Sequence, residues 1–411
     1  MGFRTSKHLL RHRYVLAGIV IGSLAALLAA VTVVTPAWAR HRTTAISNPS
    51  SEEGTPVPAL SAPFISECLM EPTTGAVIVD RDMHRQWPTA SLAKMMLMLI
   101  VARKIEDGSL KLIDRVTTSA YASKIGGSQV YLKEGETFSL DDMMKAVVVH
   151  SANDATVAVA EYIAGSTDAF TVMMNQEAAR LGLKDTHFYS VDGLPPENGQ
   201  QPDLSSAYDL AVIARALVRY PDVLHWSSID TAPFRGGLFE LRNSNHLVRT
   251  YSGCDGLKTG FYYKAGFNVV ATAHRDGMRF IAVVLGSPRK NQNFQLAAEL
   301  MSQGFADYEM RRVAKQGSPI NQLVRVRGGA TADVRPVWAS SASVLLKRAE
   351  TKDAYAVVYR LPDTVVAPFS GGQQIGVGEI VVDGKVQQEI PLVAPHGVEQ
   401  GSLLWRLIGM I

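Results

Sequence analysis

Seven residues, Met95-Met96-Leu97-Met98-Leu99-Ile100-Val101, are apolar without a break, and directly ahead of them Ser91 and Lys94 stand three residues apart. Read as a helix, this spacing puts both polar side chains on one face, one turn from each other. Pro88 limits how far the helix extends backwards, so Ser91 belongs to its first turn, where backbone N–H groups have no partner within the helix. A hydroxyl is a poor nucleophile until its proton is removed. A lysine removes it only when burial or a second cation has lowered its own pKa, and the apolar run supplies the burial. The pair alone decides little. Ser287-Pro288-Arg289-Lys290 repeats the spacing in a polar turn with no apolar run behind it, and a helix cap followed by a surface lysine is the ordinary meaning of such a pair.

With 411 residues, 47% of them hydrophobic, the chain has room for two or three domains and at least one large core. Its 41 basic and 38 acidic residues give a net charge of +3, but the first 39 residues hold Arg4, Lys7, Arg11 and Arg13 and no acid. Without these four cations the balance is 37 to 38, so charge makes no case for a nucleic-acid partner. The same segment runs from basic residues through an apolar stretch, Val15 to Val34, to Ala37-Trp38-Ala39. It reads as an export signal cleaved after Ala39, and the stretch is also long enough to serve as an uncleaved membrane anchor. Both readings export the remainder to a periplasmic or extracytoplasmic location, at the outer face of the cytoplasmic membrane. Cys68 and Cys254 fit an oxidising compartment and can pair if their strands are neighbours, or stay as two free thiols. The ten histidines are scattered, with neither His-x-x-x-His nor Cys-x-x-Cys, so no metal and no cofactor is expected.

Residues 40–61 are rich in Ser, Thr, Pro and Glu and read as a linker. Strand runs Phe64–Met70 and Ala76–Asp80 flank the turn Pro72-Thr73-Thr74-Gly75. From Asp107 to Tyr220 the pattern is mostly helical, with Ser139-Leu140-Asp141-Asp142 as a capping box for a helix to Val149 and a long loop from Ser190 to Asp203. Phe267–His274 and Arg279–Gly286 form a second hairpin, followed by a helix from Asn293 to Ala306. Together these describe an α/β domain over 62–312. Short alternating runs (Leu323–Val326, Ala332–Val337, Ser343–Lys347, Tyr355–Leu361, Gly376–Val382) predict a small all-β domain over 318–395, and 396–411 end in an apolar tail that either lies in a membrane interface or docks on that domain.

Two further motifs join the first. Ser151-Ala152-Asn153 can point a hydroxyl and a carboxamide into one cleft from a turn between helices. In Lys258-Thr259-Gly260 the cation and hydroxyl suit a carboxylate, and the glycine lets a substrate backbone approach a strand. The order Ser-x-x-Lys, Ser-x-Asn, Lys-Thr-Gly is the active-site set of penicillin-binding proteins and class A β-lactamases. On these motifs, and on Gly127-Ser128-Gln129, Ser205–Leu210, Asn243–Leu247 and Gly256–Gly266, the chain resembles the low-molecular-weight penicillin-binding proteins, the serine D-alanyl-D-alanine carboxypeptidases, over about 64–310.

The resemblance implies a penicillin-binding, serine β-lactamase-like transpeptidase fold of the α/β (α+β) type: an antiparallel sheet flanked by helices, an all-helical lobe and an appended all-β domain. It implies that Ser91 attacks the carbonyl between the last two D-alanines of a peptidoglycan stem peptide while Lys94, kept neutral by burial and by Lys258, takes its proton. Ser151 would relay a proton to the leaving amine, and Asn153 would orient Lys94 and bind a substrate amide. Lys258 and Thr259 would hold the terminal carboxylate, with Gly260 beside the substrate chain. The N–H groups of Ser91 and Phe261 would form the oxyanion hole, the substrate would add a strand alongside Lys258, and β-lactams would be covalent inhibitors. Ala152 stands where the family often has glycine and Phe261 where some members have histidine, a change expected to alter substrate fit more than chemistry. A D,D-endopeptidase that cuts cross-links and a non-catalytic peptidoglycan-binding protein are the alternatives, the second opposed by the retained Ser91 and Lys94. A β-lactamase would need a loop glutamate; no Glu-x-x-Leu-Asn follows Ser151, and Glu197 is the nearest candidate.

Overall fold

The computed structural model describes residues 64–197, 199–349 and 354–402. The expected export signal and linker, and the apolar end of the tail from Leu403, lie outside the described residues. Among the described residues no helix is long and apolar enough to cross a membrane.

Five antiparallel strands form the central sheet: β1 (Ser66–Glu71), β2 (Ala76–Arg81), β3 (Cys254–Tyr262), β4 (Gly266–Arg275) and β5 (Met278–Ser287), in the order β2-β1-β5-β4-β3. The near-continuous apolar runs of β4 and β5 reflect cover on both faces. Alternate residues divide between two cores, as the period-two geometry of a strand requires. Val270, Ile281, Val283 and Leu285 face one, with the helical lobe, whereas Val269, Ala271, Phe280, Ala282 and Val284 face the other. The second core is closed by a helix at Gln292–Asp307, one residue longer at each end than expected.

The helical lobe holds α1 (Lys94–Glu106), α2 (Leu140–Val149), α3 (Asn153–Ala164), α4 (Thr167–Arg180), α5 (Ala207–Leu217) and α6 (Pro221–Ser228). Every residue of α1 from Lys94 to Ala102 is buried, as a helix apolar on all sides must be. Each large side chain so enclosed contributes about 1.5–3 kcal/mol. Ser139 caps α2 by accepting the Asp142 N–H at 3.1 Å, as the capping box predicts.

The β-rich part differs in detail from the expected pattern. Tyr308–Ala314 forms a strand paired with Ala342–Lys347, so strand structure begins ahead of 318. Its apolar residues split between two cores, Tyr308 and Met310 toward the sheet's second core and Val313 and Ala314 toward the β-rich part, which hides any simple alternation. The run Ala332–Val337 is cut at Pro336, which has no N–H for a ladder, into Asp333–Val334 and Val337–Trp338 in separate sheets. Thr364–Val366 adds a short strand parallel to Val324–Arg327.

Cys68 and Cys254 are both buried and free. They lie on β1 and β3, with β5 and β4 between them, a separation of about 14 Å at ordinary strand spacing against a Cα limit of about 7 Å for a disulfide. Burial pushes the thiols up to about 12 and about 11 respectively, where almost no thiolate exists at neutral pH. We expect neither thiol to react with a thiol reagent in the folded protein and both to react in denaturant. Rapid labelling without denaturant would contradict this packing.

Candidate active site

The segment ahead of α1 is a tight 3₁₀ turn, Ala90–Ala93, that lifts Ser91 out of the helix. Ala90 holds φ +48°, a left-handed conformation that costs an L-residue energy and marks a constrained site. Three elements hold the turn. Asn268 on β4 donates to Pro88 O at 3.0 Å and accepts the Gly286 N–H at 2.7 Å. Gly260 on β3 comes so close that a Cβ there would lie 2.6 Å from Thr89 O and 3.1 Å from Ser91 N. From the long loop, Gly193, at φ +75°, backs onto Ala90, where a Cβ would meet its carbonyl oxygen at 2.0 Å.

Lys94 has no exposed surface. Its Nζ donates to Ser91 Oγ at 2.9 Å and to the main-chain oxygen of Asp192 at 2.5 Å. Loss of water around the ammonium brings its pKa down to about 8, against the opposing pull of Asp192 and Asp203. Lys258 repeats the arrangement from β3. It is 1% exposed, and its Nζ donates to Ser151 Oγ at 2.8 Å and to Thr259 O at 3.2 Å. Burial, then the charge of Lys94, hold its pKa well below the usual lysine range. Each ammonium disfavours the other, so the pair does not readily hold two protons near neutrality. Ser151 sits between α2 and α3 at φ +61°, which turns its hydroxyl back toward β3.

The structure thus joins Ser91 to Lys94 and Ser151 to Lys258, but Asn153 departs from the expected contact. Its Nδ2 donates to Gly126 O at 2.7 Å and its Oδ1 is buried without a partner, so Lys94 is oriented by Asp192 O rather than by this amide. Thr259 Oγ1 shares a 2.6 Å hydrogen bond with Ser244 Oγ. Ser244 therefore borders the place expected to take a carboxylate, a role its sequence position signals only through the flanking Asn243 and Asn245. Those two amides fix the segment by donating to Ile229 O at 2.7 Å and Gly256 O at 2.9 Å. The Phe261 ring is 55% exposed at the end of β3 and stacks on Phe267 at 4.2 Å. Glu197 is exposed on the long loop. Asp154, next to Asn153, is buried and accepts the Val130 and Leu132 N–H groups, which ties the start of α3 to that segment. Nothing in the sequence singles it out.

Residues 55–289 match the family described as D-alanyl-D-alanine carboxypeptidase, and 308–400 match the penicillin-binding protein 5 C-terminal domain. The D-alanyl-D-alanine carboxypeptidase DacF of Bacillus subtilis is 31% identical over 342 residues, which span 82% of this chain and 87% of that protein. The crystal structure of penicillin binding protein 5 from Haemophilus influenzae superposes with a TM-score of 0.71 at 28% identity, covering 83% of this chain and 99% of that one. Penicillin-binding protein D2 from Listeria monocytogenes, in its ampicillin-bound form, matches with a TM-score of 0.54 at 27% identity over 60% of this chain and 99% of its own.

A lysine whose folded pKa lies below its unfolded value binds its proton more tightly in the unfolded chain. Stability is therefore gained as pH rises from the folded value, about 8 for Lys94, toward the ordinary 10.5. Relative to a Lys94→Met variant, the wild type should gain roughly 1 kcal/mol or more over this window, measured by chemical denaturation at several pH values. Parallel pH profiles would contradict a deprotonated buried lysine.

Proposed function

The chain belongs to the serine-type D-alanyl-D-alanine carboxypeptidase family, and on that footing we propose that it releases the terminal D-alanine of peptidoglycan stem pentapeptides through an acyl-enzyme on Ser91. The observation that carries this reading is the fully buried Lys94 amine 2.9 Å from the Ser91 hydroxyl. A protein that only held the wall would gain nothing from that costly arrangement.

In this reading the substrate strand lies along the free edge of β3, where main-chain hydrogen bonding supplies affinity. Its carboxylate meets Lys258, Thr259 and Ser244. A carboxylate there favours the proton on Lys258, and that charge in turn keeps Lys94 neutral. Substrate binding thus prepares the base. Lys94 Nζ takes the Ser91 proton as Oγ attacks the carbonyl carbon, with the oxyanion held by the N–H groups of Ser91 and Phe261. The C–N bond then breaks, and the leaving amine receives a proton from the Ser151 hydroxyl, which Lys258 replenishes. The proton taken by Lys94 then passes to Lys258, leaving Lys94 neutral. Lys94 takes a proton from the water that attacks the ester carbonyl and hands it to Ser91 Oγ as the ester C–O bond breaks, which restores the hydroxyl.

The ampicillin-bound Listeria relative supports acylation of Ser91 by penicillins. Asn153 retains an unpartnered Oδ1, which suits it to accept a substrate amide N–H. The export signal in residues 1–39 supports an extracytoplasmic site of action.

A chain beginning at Arg40 should release D-alanine from a diacylated lysyl-D-alanyl-D-alanine peptide, and Ser91→Ala should abolish that release. Lys94→Arg should lower kcat by about 10²–10⁴-fold, the range for a lost general base. The wild-type rate should rise with pH and level off above about 8, as Lys94 loses its proton. Undiminished release by Ser91→Ala would sink the proposal.

A further inference from the structure

Asp203, the last residue of the long loop, is 4% exposed. One carboxylate oxygen accepts the Tyr189 N–H at 2.6 Å and the Ser190 N–H at 2.8 Å, and the other accepts the Ser190 hydroxyl at 2.6 Å. This fastens the start of the loop to its end. Its main-chain oxygen accepts the Thr89 N–H at 3.0 Å, which fastens the loop to the turn that carries Ser91. Ser190 Oγ in turn accepts the Gly193 N–H at 3.0 Å. Gly193 rests on the Ala90 carbonyl, and the Asp192 oxygen beside it receives Lys94 Nζ.

We propose that Asp203 is a positioning residue for the Ser91–Lys94 pair, acting through Ser190, Gly193 and Asp192 on the amine and through Thr89 on the nucleophile's turn. It rests on the roles assigned to Ser91 and Lys94 above, and Asp203 itself touches neither reacting atom. Fixing a loop does not require a buried charge, which is expensive unless fully hydrogen-bonded. The charge has a second effect. The groups facing Lys94 are Asp192 and Asp203 from the loop and Lys258 from β3; those facing Asp203 include Asp192 and the Tyr262 phenol. The two carboxylates oppose burial and keep the proton affinity of Lys94 from falling further. A residue that merely scaffolds the loop would hold it in place without setting that affinity.

The test is the rate of covalent labelling by a penicillin as a function of pH, for the wild type, Asp203→Asn and Asp203→Ala. Asparagine keeps an acceptor for both N–H groups and removes the charge. The acidic limb of its profile should therefore move to lower pH, by roughly half a unit or more. Asp203→Ala, which frees the loop, should lower the plateau at least about tenfold, as expected when reacting groups drift from their attack geometry. An acidic limb for Asp203→Asn that coincides with the wild type would overturn the proposal, as would a wild-type plateau for Asp203→Ala. If the alanine variant does not fold, the asparagine limb decides alone. Absence of labelling in the wild type would overturn the Ser91 assignment itself, and this inference with it.

Discussion

A lysine buried at the head of an apolar helix is the constraint from which the rest of the structure follows. Lys94 heads a helix whose neighbours exclude water, and exclusion of water turns an ordinary ammonium into a base. Building that enclosure takes most of the helical lobe: α2, α3 and α5 all contribute buried residues to the core around α1. A second buried lysine, Lys258, then comes from the sheet on the other side of the cleft. The protein carries the cost of two desolvated amines because each has a hydroxyl and a main-chain oxygen within hydrogen-bond reach.

Access is solved by the opposite means. Where the lobe closes around Lys94, β3 is left as the free edge of the sheet. The nucleophile stands on a 3₁₀ turn pressed between that edge and the long loop, and the contacts are backbone to backbone at Gly260 and Gly193. Rigid main-chain contacts of this kind hold Ser91 without spending side chains that would otherwise fill the cleft.

Much of this was legible beforehand. The hairpins, the capped α2 and the buried α1 follow from local periodicity and turn chemistry, and the three motifs marked Ser91, Lys94, Ser151 and Lys258, which the fold brings into hydrogen-bonded pairs. What escaped depends on contacts between distant segments. Asp203 lies in a proline-rich loop with no periodicity, and its partners are mostly main-chain groups that no residue type announces. The Asn153 amide turns to Gly126 rather than Lys94 because the Gly126–Ser128 loop packs against the start of α3, a tertiary fact. Tyr308–Ala314 was masked because its residues serve two cores at once, and Cys68 and Cys254 stand on strands whose order in the sheet only the topology decides.

The central claim is that burial makes Lys94 a base near neutral pH, and the direct measurement is its protonation followed by nitrogen NMR of Nζ in ¹⁵N-lysine-labelled protein, with the signal identified by its loss in Lys94→Arg. The account predicts an amine that titrates near 8, below the ordinary lysine value of about 10.4. A Lys94 signal that stays protonated until that ordinary value would contradict it.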